Sequence, residues 1–389
     1  KNLIVFFDNN KISIDGPTNL TISDNYKKRF ESYGWFFQEI NGHSEKEISK
    51  AIKKSLNSKK PTLISCKTII GYGSPNKAGK SSSHGAALGE AEVELTRKKL
   101  KWKHKPFEIP KEILNQWREI GGKGVLQEKK WDATYNKKSK KIKDEMLRIL
   151  NSELPKNFEK IIYEQKSKFF SLKPDIASRQ SSASVLEGIT NILPELIGGS
   201  ADLSGSNNTN TKYSQAIKPA KFKGNYIHYG VREHAMAGIM NGMALHKGVI
   251  PYGGTFLVFL DYCKPSLRLS ALMGLKVIYI FSHDSIGLGE DGPTHQPIEH
   301  LTHLRTIPNL NVFRPADTIE TLECWELALK NSNTPSVIAL SRQKLPFVTE
   351  TLVEKNMSSF GAYEIKKNKP NPEVTLIASG SEVKIAVDA

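Results

Sequence analysis

Apolar and polar positions along this chain switch repeatedly between two periods. Short runs rich in β-branched and aromatic residues, bounded by Gly, Pro, Asn or Asp, read as strands. Between them, apolar residues recur every three or four positions, as on one helix face. Leu3–Phe7 is the first strand, followed by a turn at Asp15-Gly16-Pro17 and a short strand at Gly34–Ile40. A helix is predicted over Ser44–Leu56, because Ser44 and Glu47 have capping-box spacing. Pro61–Thr68 is the next strand, Gly71–Gly89 is too polar and Gly/Ser-rich to be core, and residues 90–170 read as helical. A second series starts near Ser178, with helices Ser181–Leu193, Glu233–His246, Phe256–Leu272 and Thr318–Asn331. Its strands are Glu195–Gly198, Asn225–Tyr229, Val249–Tyr252, Val277–Phe281, Asn311–Arg314 and Ser336–Leu340. Near residue 356 a third series begins, with a strand at Val374–Ala378 and an amphipathic start after Gly380-Ser381-Glu382. This alternation predicts an α/β fold with mostly parallel sheets.

The ends alter this picture. A domain rarely opens inside a buried strand such as Leu3–Phe7, which would need neighbours on both sides. The other end stops soon after a helix has begun. Both read as cuts through structure, so the sequence is expected to be the middle of a longer chain. No apolar run approaches the roughly 20 residues that span a bilayer, which predicts no membrane partner. Cys66, Cys263 and Cys324 are widely spaced and make no disulfide framework, which suits a reducing, cytoplasmic compartment.

Charge adds one question. The net charge of +16 is concentrated in residues 1–170, where 35 Lys and Arg face 20 Asp and Glu. Lys137, Lys138, Lys140, Lys141 and Lys143 form its densest run. A nucleic-acid surface would want Arg and interleaved aromatics for stacking. Arg is absent here and only Trp131 and Tyr135 flank the run. A solvated Lys face is the expected reading, with no nucleic-acid partner.

Several stretches carry chemistry. Asp8-Asn9-Asn10-Lys11-Ile12 follows a strand read as buried, where parallel sheets place their ligands. An Asn side-chain oxygen and the carbonyl two residues on suit one hard cation, though an Asx turn explains them equally. Tyr226–Gly242 runs a strand through a Gly turn into a helix with Glu233 at its mouth. Ala235, Ala237, Gly238, Gly242 and Ala244 on that helix allow another backbone close, within the chain or from a second subunit. Ser282–Pro297 is the densest polar stretch, full of Gly and Pro, as functional loops are. Its His283, Asp291 and His295 suit sugar hydroxyls, phosphates or proton transfer. The spacing of His295, His300 and His303 is not a zinc pattern. Arg179 and Arg342 at loop mouths suit anion clamping, and His84 tops the Gly71–Gly89 loop. Phe256, Phe259 and Tyr262 form an aromatic stripe that suits either core or a flat heteroaromatic ring.

Together, in this order, these segments closely resemble the transketolase family of thiamine-diphosphate enzymes. The matching segments are Phe7–Gly16, Cys66–Gly89, Gly198–Asn207, Tyr226–Met236, Ser282–Pro297 and Leu340–Gln343. The run SHDSIGLGEDGPTHQP is the most specific of them. The resemblance implies a parallel-sheet thiamine-diphosphate-binding fold. Its expected parts are a diphosphate-type domain over 1–135, a Lys-rich helical linker over 136–172, a pyrimidine-type domain over 173–350, and the start of a C-terminal α/β domain over 356–389. It implies reversible transfer of a two-carbon ketol unit between sugar phosphates in the pentose phosphate pathway. It also implies a cytoplasmic homodimer with its active site at the subunit interface.

Site roles follow by position. Asn10 and the Ile12 carbonyl match ligands of Mg²⁺ (or Ca²⁺ or Mn²⁺) bridging the thiamine diphosphate. Glu233 matches the carboxylate bonded to the aminopyrimidine, with Phe259, Phe256 and Tyr262 around that ring. His84 and His295 match residues near the reacting carbons. Arg179, Ser206, His283 and Arg342 match phosphate contacts, and Asp291 the donor's C2 hydroxyl. The family's Gly-Asp-Gly loop, which supplies a further metal ligand, would lie before Lys1. The isolated chain is therefore expected to be inactive and to bind little cofactor. Alternatives are the related deoxyxylulose-phosphate synthase branch and a non-catalytic chain that keeps the fold.

Overall fold

Residues 2–366 and 373–389 are described by a computed structural model, and they divide into two units, 1–130 and 131–389. In the first unit, strands β1 (Ile4–Asn9), β2 (Phe36–Asn41) and β3 (Thr62–Lys67) form a three-stranded parallel sheet in the order β1-β3-β2. The apolar run in β3 fills the centre, with Leu63 and Ile64 buried. The expectation that the first strand is buried is corrected. Strand β1 pairs only with β3, no other described strand lies beside it, and Phe6 is 48% exposed. Helix α1 (Tyr26–Ser32), capped by Asn25, was not anticipated because it carries no clear apolar stripe. Helix α2 (Glu45–Leu56) starts as expected, with Ser44 Oγ accepting from Glu47 N at 3.3 Å. The Glu47 carboxylate, however, accepts from Asn41 N at 2.8 Å rather than closing the box on Ser44. Helix α3 (Glu90–Lys99) follows the Gly/Ser-rich loop.

The division between the units falls within helix α4 (Lys111–Asn136), none of whose residues is buried. Trp131 and Tyr135 stack on each other at 5.0 Å, with Lys143 Nζ 5.9 Å from the Tyr135 ring. The two aromatics beside the Lys run are thus engaged with each other. After α5 (Lys140–Leu150), helix α6 (Phe158–Leu172) sets Phe158, Ile162 and Phe169 into the core of the second unit.

That unit is a six-stranded, all-parallel sheet with helices on both faces. Its strands are β4 (Leu196–Ser200), β5 (Tyr226–His228), β6 (Ile250–Phe256), β7 (Ile278–Ser282), β8 (Asn311–Phe313) and β9 (Ser336–Leu340), ordered β8-β9-β7-β6-β4-β5. Alternation divides the side chains. Ile278 and Ile280 pack with α6, α7 (Ser178–Ile189) and α11 (Thr318–Lys330). Tyr279 and Phe281 pack on the other face with α8 (Glu233–His246), α9 (Leu260–Leu272) and α10 (His300–Arg305). Strand β6 runs four residues past its predicted end. Gly253 and Gly254, just past that end, lie inside it, and Met240 Sδ and Thr209 Cγ2 fill the space a Cβ would need.

The predicted strand at Val374–Ala378 is a correction: it forms no ladder among the described residues, and Val374, Leu376 and Ile377 are exposed. The segment after it is anchored. Arg314, just beyond β8, donates to Asp284 Oδ2 at 2.7 Å, to Ser379 O at 2.9 Å and to the Glu382 carboxylate at the start of α12 (Glu382–Asp388). Among the described residues, no helix is long and apolar enough to cross a membrane.

Candidate functional site

In the first unit, Asn10 leaves the carboxyl end of β1. Its Oδ1 accepts from Ile12 N at 2.9 Å, an Asx turn around Lys11, whose φ is 61°. An amide oxygen has two lone pairs, so one remains for a cation. Asn10 Oδ1 and the Ile12 carbonyl are both hard oxygen donors, a set that fits Mg²⁺ sharing its shell with phosphate and water. Among the described residues, no group of three or more His, Cys, Asp or Glu is arranged to hold a metal. His84 lies exposed at the end of a short helical turn, its backbone N bonded to Ser81 O at 2.8 Å.

The loop carrying His84 is more ordered than its composition suggests. Glu92 on α3 is buried beneath it and accepts from the Ser74 hydroxyl, from Asn76 N at 2.9 Å and from Asn76 Nδ2 at 2.9 Å. Those donors, the Ser74 hydroxyl first, pull its carboxyl down to about 2. Lys77 Nζ donates to Leu88 O at 2.9 Å, and Ser83 Oγ to Lys77 O at 2.6 Å.

In the second unit the candidate residues gather at the carboxyl ends of the strands, where parallel sheets bind ligands. Phe256 ends β6 and His283 follows β7; their rings stack at 3.7 Å. Phe259 lies parallel to Phe256 at 5.6 Å, and His295 stands edge-on to both, 5.4 Å from Phe259. The Phe256 ring is therefore engaged by His283, while Phe259 is half-buried and Tyr262 exposed. Arg179, at the start of α7, donates from Nη1 to the Ser206 backbone carbonyl at 2.5 Å. Its Nε is buried without a hydrogen-bond partner, a donor that a phosphate oxygen would satisfy. Arg342, beyond β9, pairs with Glu290 at 2.5 Å.

These charges act on one another. Burial first, then Arg342, lowers the Arg179 guanidinium, and Asp291 opposes them. His283 is pushed down to about 4, mainly by burial and then by Arg179, against the pull of Asp291. Glu233 opens α8 and is buried. Its charge, after burial itself, raises the Cys263 thiol on α9 to about 12, so the carboxylate lies beside the helix that carries Tyr262.

Sequence reading missed the support beneath His283. Ser282 Oγ donates to Asn207 Oδ1 at 2.6 Å, Asn207 Nδ2 donates to Ser200 Oγ at 3.2 Å, and Ser200 Oγ donates to Gly254 O at 3.1 Å. Asn207 closes the short helix Ser204–Asn207 after β4. It ends the segment Gly198–Asn207, and the family resemblance of that segment was the available signal. Glu290 and Arg314 left no such signal, because their partners lie 52 and 30 residues away.

Two family models match the chain. The thiamine diphosphate binding domain of transketolase matches residues 1–155, and the transketolase pyrimidine binding domain matches residues 174–348. The chain is 49% identical to a transketolase of Sinorhizobium medicae, over all of this chain and 56% of that protein. It is 45% identical to a transketolase of Buchnera aphidicola, over all of this chain and 59% of that one. Among solved structures, a Pichia stipitis transketolase in complex with sedoheptulose 7-phosphate superposes with a TM-score of 0.90 at 38% identity, covering all of this chain and 58% of that one. A transketolase from Campylobacter jejuni gives 0.88 at 39% identity with the same coverages. The chain thus spans less than two thirds of the length of these relatives.

Proposed function

The chain belongs to the transketolase family, and on that premise we propose that it serves the reversible transfer of a two-carbon ketol unit from a ketose phosphate to an aldose phosphate. The reaction belongs to the pentose phosphate pathway, carried out by a cytoplasmic homodimer with thiamine diphosphate and a divalent metal. When bound, thiamine diphosphate supplies the electron sink that lets a carbon–carbon bond next to a carbonyl break. Asn10 Oδ1 and the Ile12 carbonyl would hold the divalent metal, which would supply positive charge to offset the diphosphate. Glu233 would share a proton with a ring nitrogen of the cofactor, and Phe259, packed between Phe256 and Tyr262, would offer its ring an aromatic face. Arg179 and Arg342 bind the sugar phosphate with His283 and Ser206, and two guanidinium charges match one phosphate dianion. Asp291 accepts from a sugar hydroxyl next to the reacting carbon, while His84 and His295 hold and move protons at the sugar oxygens.

The observation that carries this reading is the convergence of Arg179, Arg342 and His283 at the carboxyl ends of the parallel strands, with a buried Arg179 donor left unpaired. The homodimer is supported by the face of α8 and α9 turned to solvent. There Ile239, Leu245, Tyr262, Leu269 and Leu272 are all exposed, interleaved with Ala235, Gly238 and Gly242.

The test is Glu233→Gln in the intact protein. Turnover is expected to fall at least about a hundredfold, with unchanged thermal unfolding. Near-wild-type turnover at saturating thiamine diphosphate would overturn the assignment.

A further inference from the structure

His283 ends a hydrogen-bond chain whose direction is set by a backbone carbonyl. The Gly254 carbonyl can only accept, so the Ser200 hydroxyl 3.1 Å away donates to it. Ser200 Oγ has then used its one proton, and Asn207 must present Nδ2 to it across 3.2 Å. That orientation turns Asn207 Oδ1 toward Ser282, whose hydroxyl donates to it at 2.6 Å. Ser282 Oγ has likewise used its proton, so its 2.9 Å contact with His283 Nδ1 requires a hydrogen on Nδ1. In a neutral imidazole with Nδ1–H, Nε2 is an acceptor only. The chain is sealed from competing water: Ser200, Asn207 and Ser282 are fully buried and His283 nearly so.

The surroundings keep the ring neutral. Phe256 covers one face at 3.7 Å. Arg179 from α7, Arg342 from beyond β9 and His295 from the loop after β7 disfavour a second proton, and Asp291 in that loop favours one. Glu290 offsets part of the Arg342 charge.

A bare Nε2 lone pair is the wrong partner for a phosphate dianion, because both atoms are acceptors. We propose that the Gly254–Ser200–Asn207–Ser282 chain holds His283 as its Nδ1–H tautomer, so that a sugar phosphate binds here only with uptake of one proton from solvent, shared between His283 Nε2 and a phosphate oxygen. Asn207 and Ser282 are then positioning residues for the substrate phosphate. The proposal rests on the reading of His283 as a phosphate contact. A phosphate monoester has its second pKa at about 6 and enters as a dianion above that. One proton leaves the buffer, one N–H or O–H bond forms at the site, and no other bond changes.

The test uses the intact protein. Nitrogen-15 histidine NMR without ligand should show His283 protonated at Nδ1, and Ser282→Ala should shift it toward the Nε2–H form. Calorimetry with fructose 6-phosphate near pH 7.5, in buffers of different ionisation enthalpy, should show uptake of about one proton per site, and none with fructose. Affinity for the phosphate ester should fall up to about tenfold per pH unit above neutrality. In Ser282→Ala, where the ring is free to donate from Nε2, uptake should drop below about half a proton. An Nε2–H tautomer in the unliganded wild type overturns the proposal. So does zero uptake when His283→Ala still weakens the phosphate ester selectively. If His283→Ala leaves the preference for fructose 6-phosphate over fructose unchanged, the phosphate-contact reading itself fails and the uptake falls with it.

Discussion

A histidine's charge at neutral pH depends on what surrounds its ring. At His283 burial is the largest influence and the Arg179 guanidinium the next, and together they push the ring from 6.5 down to about 4. The folded state therefore sheds a proton that the unfolded chain keeps between those values. The resulting penalty is absent above pH 6.5 and grows as pH falls toward 4, so this group makes the protein lose stability on acidification. Removing Arg179 takes away the second cause and leaves the first. In Arg179→Ala the His283 midpoint is expected to rise toward 6.5, as read by a histidine-selective NMR titration. A midpoint that stays near 4 would mean that burial alone sets it. Neither the shift nor its sign was open to sequence reading, since Arg179 lies on a different element from His283. The residue types at the site were legible, because Gly- and Pro-rich polar stretches directly after apolar runs mark strand ends at which ligands sit.

Helix α11 shows how an element's charges are shared among tertiary partners. Asp317 caps it, accepting from Ile319 N at 2.9 Å and Glu320 N at 3.0 Å, and its other oxygen takes Thr349 Oγ1 at 2.7 Å. Glu323 forms a buried pair with Lys166 at 2.6 Å. Glu320, one turn earlier, is half-buried with its carboxylate against the Tyr363 hydroxyl and Ala316 N, and the loss of water around it pushes its carboxyl from 4.5 up to about 7. Here the folded state holds the extra proton. The stabilising contribution is complete below pH 4.5 and is lost as pH rises through about 7, opposite in sign to that of His283. Because the two windows overlap, only a difference isolates one group. Chemical denaturation of wild type and Glu320→Gln should give a stability difference that shifts in the variant's favour by up to about 3 kcal/mol between pH 5 and pH 8. A constant difference across that range would show that Glu320 stays ionised. The helix itself was readable from its apolar period, and Ser336–Leu340 from its unbroken apolar run. Strand β6 was cut short at Tyr252, because what requires Gly253 and Gly254 is Met240 and Thr209, brought against them only by the fold.

For the whole molecule the decisive surface is the one that α8 and α9 leave uncovered. Ile239 and Leu245 on α8, and Leu269 and Leu272 on α9, expose large apolar side chains among small ones. Water meets such a face at a cost of roughly 25 cal/mol per Å² of apolar area, which pairing with a second copy would recover. Charge does not oppose that pairing. Residues 171–389, which carry this face, hold 21 Lys and Arg against 20 Asp and Glu, so most of the chain's +16 lies elsewhere. Gly242 sits on the exposed side of α8 with no heavy atom within 4 Å of where a Cβ would stand. Gly242→Arg therefore strains nothing inside the subunit and favours the helix by up to about 1 kcal/mol. Buried at a two-fold interface, it would bring two guanidinium groups into an apolar contact without partners, a desolvation cost of several kcal/mol per charge. In the intact protein, sedimentation velocity is expected to show a dimer for the wild type and a monomer for Gly242→Arg, with unchanged circular dichroism and with thiamine diphosphate binding lost in the monomer. A variant that remains dimeric would place the subunit contact on another face. A variant that dissociates yet still binds the cofactor would show that the cofactor site is complete within one copy.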